Sequence, residues 1–279
     1  MNLEKTVKKA SQILKNHNIY SHELDAQIIL SDIMGIKREF LITNNEINIS
    51  EKVIEKYDIA IKRRVKREPV AYITGKKEFW SENFTVNHGT LIPRPETELL
   101  IYKVIDFFKN RKINILDIGT GSGCILLSIL KELSGSRGIG IDVSKKAIQI
   151  AEMNSRNLNL LCRSKFKVFD IIEFNIGKYD LIVSNPPYIP SKDIKNLSED
   201  IKNHEPLIAL DGGLDGLDQI KKIVYKSGYL LKKGGLFAIE IGNHQYERVR
   251  SLLIRQNFRI EGVEYDYNRN VRCIFSTKT

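Results

Sequence analysis

The chain has 279 residues, of which 42% are hydrophobic and 28% charged, a composition typical of an ordinary globular protein that excludes a disordered or fibrous chain. Its net charge of +10 would favour an acidic or nucleic-acid partner, but the excess is spread along the chain and forms no basic tail. No apolar run reaches the ~18 residues of a membrane-spanning helix, and the N-terminus has no signal-peptide core. The three cysteines are far apart and lack metal or redox spacing. We therefore expect a cytoplasmic protein that binds no metal and no membrane.

Apolar residues recur at helical spacing through the first part of the chain, as at Leu3 and Leu14. Ser50 can cap a further helix, which Pro69 ends. The pattern predicts a small helical bundle over residues 1–68.

A basic cluster lies at the end of this segment and stands out from the otherwise diffuse charge. Its members are Lys62, Arg63, Arg64, Lys66 and Arg67. Two interpretations are open, because charge runs are usually solvated helix faces but can also form an electrostatic docking patch.

Short alternating pieces follow the bundle. Val70–Thr74 and Phe84–Asn87 are separated by a turn-rich stretch, which predicts a β-hairpin connector over residues 69–90. Pro95 then suits the first position of a helix that continues to about Phe108.

Strands alternate with helices from residue 112 onward, which predicts a parallel α/β sheet within a domain spanning 91–279. The expected strands cover 113–118, 138–142, 165–169, 179–184, 236–241, 259–265 and 271–277. A short polar turn joins the last two, so we expect them to form an antiparallel hairpin at the sheet edge.

A glycine-rich loop follows the first strand of this sheet. Asp117 leads into glycines at 119, 121 and 123, which let the backbone approach a ligand closely. The spacing differs from the dinucleotide fingerprint, and a carboxylate entering the loop suits a cationic ligand better than a pyrophosphate. Asp142 closes the second strand at the spacing of a residue that binds a ribose diol. Ribose and positive charge together suggest S-adenosylmethionine; the alternative is a tight turn followed by a helix cap at Asp142.

The fourth strand ends in Asn185-Pro186-Pro187-Tyr188. Ligands of open α/β sheets bind outside the carboxyl ends of the strands, so we expect this motif and the glycine loop to share one crevice. An amide nitrogen is a poor nucleophile because its lone pair is delocalised. The Asn185 side-chain oxygen and the Pro186 carbonyl could hold both N–H groups and turn the lone pair toward an incoming methyl group, while Tyr188 offers a face for stacking. The alternative is that the prolines only end a strand.

Six stretches together resemble the bacterial release factor glutamine methyltransferases, the PrmC or HemK family, over nearly the whole chain. They are EPVAYITGKKEFW (68–80), LIPRPETELL (91–100), DIGTGSG (117–123), NPPY (185–188), EPLIAL (205–210) and a glycine turn leading to EIG (240–242). NPPY is shared with adenine methyltransferases of DNA, whereas LIPRPETELL is much more selective. Together with the helical N-terminal segment, it separates the chain from a related enzyme that methylates a ribosomal protein.

The resemblance implies a Rossmann-like seven-stranded class I methyltransferase sheet and S-adenosylmethionine as cofactor. We expect the N-terminal bundle to dock the substrate, because methyl transfer at Asn185 needs only residues from about 85 onward and the bundle carries no recognisable chemistry. It implies methyl transfer to the glutamine of the Gly-Gly-Gln motif of class 1 peptide-chain release factors, with no stable nucleic-acid partner. The implied cofactor contacts are Gly119, Thr120, Gly121, Ser122, Gly123, Asp142, Asp170, Ile171 and Asn185. The implied glutamine site is Asn185, Pro186, Pro187 and Tyr188, with Asn185, Pro186 and Tyr188 catalytic. Ile171 replaces an aromatic of some relatives, so an aliphatic adenine contact is expected there.

Two rival functions are weighed against this one. A nucleic-acid amino-methyltransferase could use the same motif on a flipped base, but the bundle shows neither a concentrated basic stripe nor stacking aromatics. A nucleotide-binding adaptor without catalysis would not need Asn185 and Tyr188.

Overall fold

The computed structural model describes residues 2–44 and 46–279, and the chain divides into two compact units. The helical unit comprises Met1–Lys76 together with Ser198–His204. The sheet unit comprises Lys77–Leu197 and Glu205–Thr279. Among the described residues, no helix is long and apolar enough to cross a membrane.

The elements are numbered in chain order. The α-helices are α1 (Leu3–Asn16), α2 (His22–Met34), α3 (Arg38–Thr43), α4 (Glu51–Val65), α5 (Val70–Thr74), α6 (Glu98–Phe107), α7 (Cys124–Glu132), α8 (Lys145–Asn157), α9 (Glu199–Lys202), α10 (Asp218–Leu230) and α11 (Tyr246–Arg255). The strands are β1 (Lys76–Phe79), β2 (Glu82–Thr85), β3 (Asn114–Ile118), β4 (Arg137–Asp142), β5 (Ser164–Val168), β6 (Tyr179–Ser184), β7 (Leu231–Glu240), β8 (Phe258–Tyr265) and β9 (Val271–Lys278). Short 3-10 helices cover Pro95–Thr97, Ser191–Asn196 and Leu207–Ala209.

The helical unit contains the helices that the apolar spacing predicts. Asn2 caps α1, because its side-chain oxygen accepts a hydrogen bond from the Lys5 N–H at 2.9 Å. Leu3, Ala10 and Leu14 then lie on one buried face of that helix, where they belong to one core with residues of α2 and α4.

The basic cluster is not uniform, because its central member is buried whereas Lys62 and Lys66 are exposed. Arg64 is 5% exposed and pairs through Nε with Asp25 Oδ2 at 2.7 Å and through Nη1 with Asp200 Oδ2 at 2.9 Å. Arg63 pairs with Glu68 at 2.6 Å. These two arginines are thus paired within the helical unit, because the carboxylates come from other parts of the same unit.

The predicted strand at Val70–Thr74 is wrong, because these residues form α5. Pro69 takes the extended N-cap conformation, and Gly75 ends the helix in the left-handed region at φ 73°. The proline and glycine at its two ends favour a short helix more strongly than the β-branched residues between them favour a strand. A hairpin does form close by, between β1 and β2.

The hairpin packs into the core of the sheet unit. Phe79 and Phe84 are both buried, with ring centroids 6.0 Å apart in an edge-to-face arrangement. The Asn154 amide accepts from the Thr85 N–H at 2.7 Å and donates to the Thr85 carbonyl at 3.0 Å, which ties β2 to α8. The range 69–90 that the sequence suggested as a connector therefore includes residues of this core.

The predicted α/β fold is confirmed. The seven-stranded sheet has the order β5-β4-β3-β6-β7-β9-β8. Its first five strands are parallel, and β9 and β8 form the predicted antiparallel hairpin at the edge. Successive strand residues enter opposite cores, with Ile115 packing with residues of α6 and α7 and Leu116 with residues of α10 and α11.

The order of the strands determines where a ligand-binding crevice can form in the sheet. The chain runs from β3 outward to β4 and β5 and then returns to β6 on the other side of β3, so the order reverses between β3 and β6. In the parallel register Ile118 lies opposite both Ile141 and Ser184, which brings the carboxyl ends of the three strands together. Such a switch point opens a crevice in which ligands bind.

Candidate active site

The loop after β3 needs glycine for its backbone shape. Gly119, Gly121 and Gly123 have φ of 71°, 55° and 80°, a region that other residues rarely adopt. An added Cβ at Gly119 or Gly121 would meet no atom within 4 Å, so the backbone there is open to a ligand. At Gly123 the same atom would lie 3.1 Å from Leu127 and 3.2 Å from Ala151. The third glycine therefore serves close packing of the next helix.

Asp117 supports this loop from beneath. Its side chain is fully buried and accepts a hydrogen bond from the Thr120 hydroxyl at 2.6 Å. Burial raises the pKa of Asp117 to about 7, against the smaller lowering effect of Thr120.

This burial predicts a pH dependence of stability. The folded state holds the Asp117 proton more tightly than the unfolded chain, where the pKa is ~3.9. The resulting stabilisation is complete below pH ~4 and is lost as the pH rises through about 7. As the pH rises through this window, we expect the unfolding free energy of the wild type to fall relative to that of Asp117→Asn, by at most ~1.4 kcal/mol per pH unit. Urea titrations at a series of pH values measure it, and a difference that does not change with pH would contradict the prediction.

Asp142 holds the glycine loop against the second strand. Its Oδ2 accepts from the Gly121 N–H at 3.0 Å, and its Oδ1 accepts from the Ser144 N–H at 2.9 Å. The helix cap proposed for Asp142 as an alternative is supplied by Ser144, whose hydroxyl accepts from the Ala147 N–H at 3.2 Å. Burial raises the pKa of Asp142, and its backbone donors partly offset this.

A cavity of about 320 Å³ lies at the carboxyl ends of β3, β4 and β6. Its wall combines the glycine loop and the strand ends with apolar side chains of neighbouring elements. The lining residues are Gly89, Thr90, Leu91, Ile118, Gly119, Gly121, Ile141, Asp142, Val143, Ser144, Ala147, Phe169, Asp170, Ile171, Asn185, Pro186, Pro187, Pro206, Ile208, Ala209, Gln219 and Ile223.

The cavity has the chemistry that S-adenosylmethionine requires. Open glycine backbone lies beside the Asp142 carboxylate, which can accept hydrogen bonds from ribose hydroxyls, and apolar side chains supply a surface for a flat base. Ile171 lines this wall together with the aromatic ring of Phe169, so the wall near Ile171 is not purely aliphatic.

The Asn185 motif follows β6 and forms another part of the wall. The Asn185 amide donates through Nδ2 to the Thr97 hydroxyl at 3.2 Å. Thr97 donates in turn to Glu240 Oε2 at 2.6 Å, and Tyr188 donates to Glu240 Oε1 at 3.2 Å. The guanidinium of Arg272 lies 5.8 Å from the centroid of the Tyr188 ring.

The structure brings most of the residues predicted from the sequence to one cavity. Those that line it are Gly119, Gly121, Asp142, Asp170, Ile171, Asn185, Pro186 and Pro187. Four others are not among the lining residues. They are Thr120, Ser122, Gly123 and Tyr188. Contacts of all these residues with cofactor or substrate stay predictions.

Sequence reasoning missed three buried polar residues that support the site. Thr97 and Glu240 lie in the stretches LIPRPETELL and EIG, which signalled the family but not a role. Gln245 left no signal. Its amide donates to the carbonyls of Tyr188 at 3.0 Å and Gly216 at 3.1 Å and accepts from the Gly242 N–H at 2.8 Å. This residue fixes the backbone of the motif.

We expect Asp142→Ala to weaken cofactor affinity, because ribose hydroxyls left without an acceptor cost ~1–3 kcal/mol. Calorimetric titration measures it. Asp180→Ala is the matched control, since Asp180 accepts from the Asn114 N–H at 2.9 Å outside the cavity and its loss should leave affinity unchanged. Unchanged affinity in Asp142→Ala would mean that the carboxylate only holds the loop.

Comparison with known proteins agrees with this geometry. A methyltransferase domain profile matches residues 109–265, and the profile of the PrmC N-terminal domain matches residues 5–75. The 16S rRNA N2 G1207 methyltransferase of Thermus thermophilus, solved with AdoMet and guanosine, has a TM-score of 0.52 at 18% identity over 73% of this chain and 50% of its own. A methyltransferase from Pyrococcus furiosus has a TM-score of 0.52 at 14% identity over 70% of this chain and 88% of its own. These likenesses show the fold.

Fold, profile and site define the chain as an S-adenosylmethionine-dependent methyltransferase of class I. The chain is 38% identical to the release factor glutamine methyltransferase of Clostridium acetobutylicum over 100% of this chain and 99% of that one. It is 40% identical to the enzyme of the same name from Buchnera aphidicola subsp. Schizaphis graminum over the full length of both. The chain therefore belongs to the release factor glutamine methyltransferase family.

Proposed function

We propose that the protein methylates the side-chain nitrogen of the glutamine in the Gly-Gly-Gln motif of class 1 peptide-chain release factors. The observation that carries the proposal is that Asn185 and Pro186 line the same cavity as the glycine loop and Asp142. The names of the full-length relatives support the choice of substrate.

The protein residues would act mainly by positioning the amide. The Asn185 side-chain oxygen and the Pro186 carbonyl would accept the two N–H groups of the glutamine amide. Held in this way, the nitrogen lone pair points at the reacting carbon instead of conjugating with the carbonyl. S-adenosylmethionine, when bound, supplies an electrophilic methyl group. After accepting the methyl group in exchange for the sulfur–methyl bond, the amide nitrogen would carry one proton too many and would release it to water, so no side chain needs to act as a base.

Cofactor binding would fall to the other wall of the cavity. The open backbone at Gly119 and Gly121 would hold the amino-acid part, Asp142 the ribose, and Asp170 with Ile171 the adenine. The hydroxyl of Tyr188 donates to Glu240, which would hold its ring in place beside the motif for stacking.

The helical unit would dock the release factor. A release factor is a large protein, so a second contact surface would raise affinity without altering the transition state. Arg63 and Arg64 of the basic cluster are paired within the unit, which leaves the exposed Lys62 and Lys66 as the members that could steer a substrate. With this substrate the enzyme would act in the cytoplasm.

The test is incubation of the full chain with methyl-labelled S-adenosylmethionine and separate candidate substrates. These are a class 1 release factor, the same factor with the motif glutamine replaced by alanine, DNA and ribosomal RNA. We expect label only in the unaltered release factor, with peptide mass spectrometry locating it on the glutamine. Label in DNA or RNA would instead support the nucleic-acid amino-methyltransferase, and binding without transfer would support the adaptor.

A further inference from the structure

A chain of hydrogen bonds runs from the interior of the sheet unit to the edge of the cavity. It passes from Glu240 at the end of β7, through the hydroxyl of Thr97, to the amide of Asn185 after β6. Glu240 is 1% and Thr97 2% exposed, whereas Asn185 is half-buried and lines the cavity. The strands β6 and β7 pair in parallel with Ser184 opposite Ile239, so the next residues, Asn185 and Glu240, emerge side by side.

The direction of each bond in this chain follows from counting protons. Arg272 lies 3.5 Å from the Tyr188 hydroxyl and can only donate, so the Tyr188 proton is left for Glu240 Oε1. The Thr97–Glu240 distance of 2.6 Å is that of a hydroxyl donating to a carboxylate. When Glu240 is ionised, both of its oxygens accept; burial raises the pKa of this carboxyl, and its contacts with Thr97, Arg272 and Tyr188 oppose that rise.

Thr97 has only one hydroxyl proton, and that proton is given to Glu240. Toward Asn185 the hydroxyl can present only a lone pair, so it accepts and the NH₂ end of the amide must face it. The other end of the amide, Oδ1, is then turned away from Thr97. An asparagine without such a partner could present either end to a ligand, since a half-turn about its last bond exchanges oxygen and nitrogen.

We propose that Thr97 is a positioning residue, which fixes the Asn185 amide so that its oxygen, and not its NH₂ group, meets the substrate nitrogen. This inference rests on the proposed function, because it supplies the acceptor that the glutamine amide needs. In the opposite orientation the NH₂ group of Asn185 would face the NH₂ group of the substrate glutamine. The substrate N–H would then lack the Asn185 acceptor that orients the nitrogen lone pair toward the methyl group. Glu240 acts one step further back by taking the Thr97 proton.

The test compares two substitutions at Thr97. Thr97→Val keeps the shape but removes the hydroxyl, and we expect kcat to fall between ~10- and ~100-fold while KM for release factor and cofactor affinity change little. Thr97→Ser keeps the hydroxyl and loses only a methyl group, so it should restore most of the lost kcat. Steady-state kinetics, calorimetric titration of the cofactor and circular dichroism measure these effects.

Thr277→Val is the matched control. Thr277 is also a buried threonine that donates to a glutamate, Glu261, but it lies in β9 opposite Leu236, away from the cavity. Thr277→Val should show the loss of stability that comes from removing a buried threonine hydroxyl, while its kcat should equal that of the wild type.

Three results would overturn the inference: a Thr97→Val enzyme with kcat within a factor of about two of wild type, a Thr97→Ser enzyme as slow as Thr97→Val, or an equal loss of kcat in Thr277→Val. These results require an active wild type. A wild-type chain that fails to methylate the release factor glutamine would overturn the proposed function itself, and the inference with it.

Discussion

Replacing Asn185 with alanine is expected to lower kcat by ~100-fold or more while leaving cofactor affinity mostly intact. The side chain supplies one of the two acceptors that would orient the target nitrogen. The glycine loop and Asp142, which would carry most of the cofactor contacts, hold each other through the Gly121–Asp142 hydrogen bond and do not depend on Asn185.

A methyl-transfer assay beside calorimetric titration separates the two effects. Asn157→Ala is the matched control, because the Asn157 amide also donates to a threonine hydroxyl, that of Thr85 at 3.4 Å, but lies outside the cavity. It should retain wild-type kcat. An Asn185→Ala enzyme with activity within a factor of a few of wild type would refute the assigned role.

The second large effect concerns stability. Arg64→Leu is expected to destabilise the helical unit by ~3 kcal/mol or more, because it leaves the Asp25 carboxylate buried without its charged partner. The Ser21 hydroxyl, which also donates to Asp25, can replace only part of that interaction. Asp200 loses the same guanidinium.

Lys62→Leu is the control for this substitution, since it removes an equal charge from an exposed position of the same helix. Urea denaturation followed by circular dichroism, with hydrogen exchange in α1, α2 and α4, measures the loss where it should occur. Similar unfolding free energies for Arg64→Leu and Lys62→Leu would mean that the basic cluster behaves as an ordinary solvated surface.

The sequence was sufficient to predict elements whose signals are local. The strand over Tyr179–Ser184 shows a buried apolar run ending in turn residues, and the structure has these bounds. The strand expected at 236–241 begins earlier, at Leu231, because pairing with β6 extends it through the glycine turn. At Val70–Thr74 composition and end signals disagreed, and the proline and glycine at the ends decided the outcome.

Parts of the site that depend on distant contacts were not predictable in this way. Thr97 precedes Glu240 by 143 residues, and neither side chain gains a role until α6 and β7 bring the two together. Arg64 is similar, because its neighbours along the chain suggest a charged surface and only the fold brings Asp200 to it. Sequence motifs identified residues that line the cavity. The residues that hold those side chains in place could not be identified in this way, because they come together only through long-range packing.

The discontinuous helical unit has a consequence for the order in which the protein is made. Helices α1 to α5 leave the ribosome long before Ser198–His204 is synthesised. N-terminal segments generally begin to fold first. Until that late segment arrives, Arg64 has Asp25 but not Asp200, and the nascent unit lacks part of its ionic framework. The helical unit therefore reaches its final stability only after the ribosome has translated the Asn185 motif and the segment Ser198–His204 that follows it.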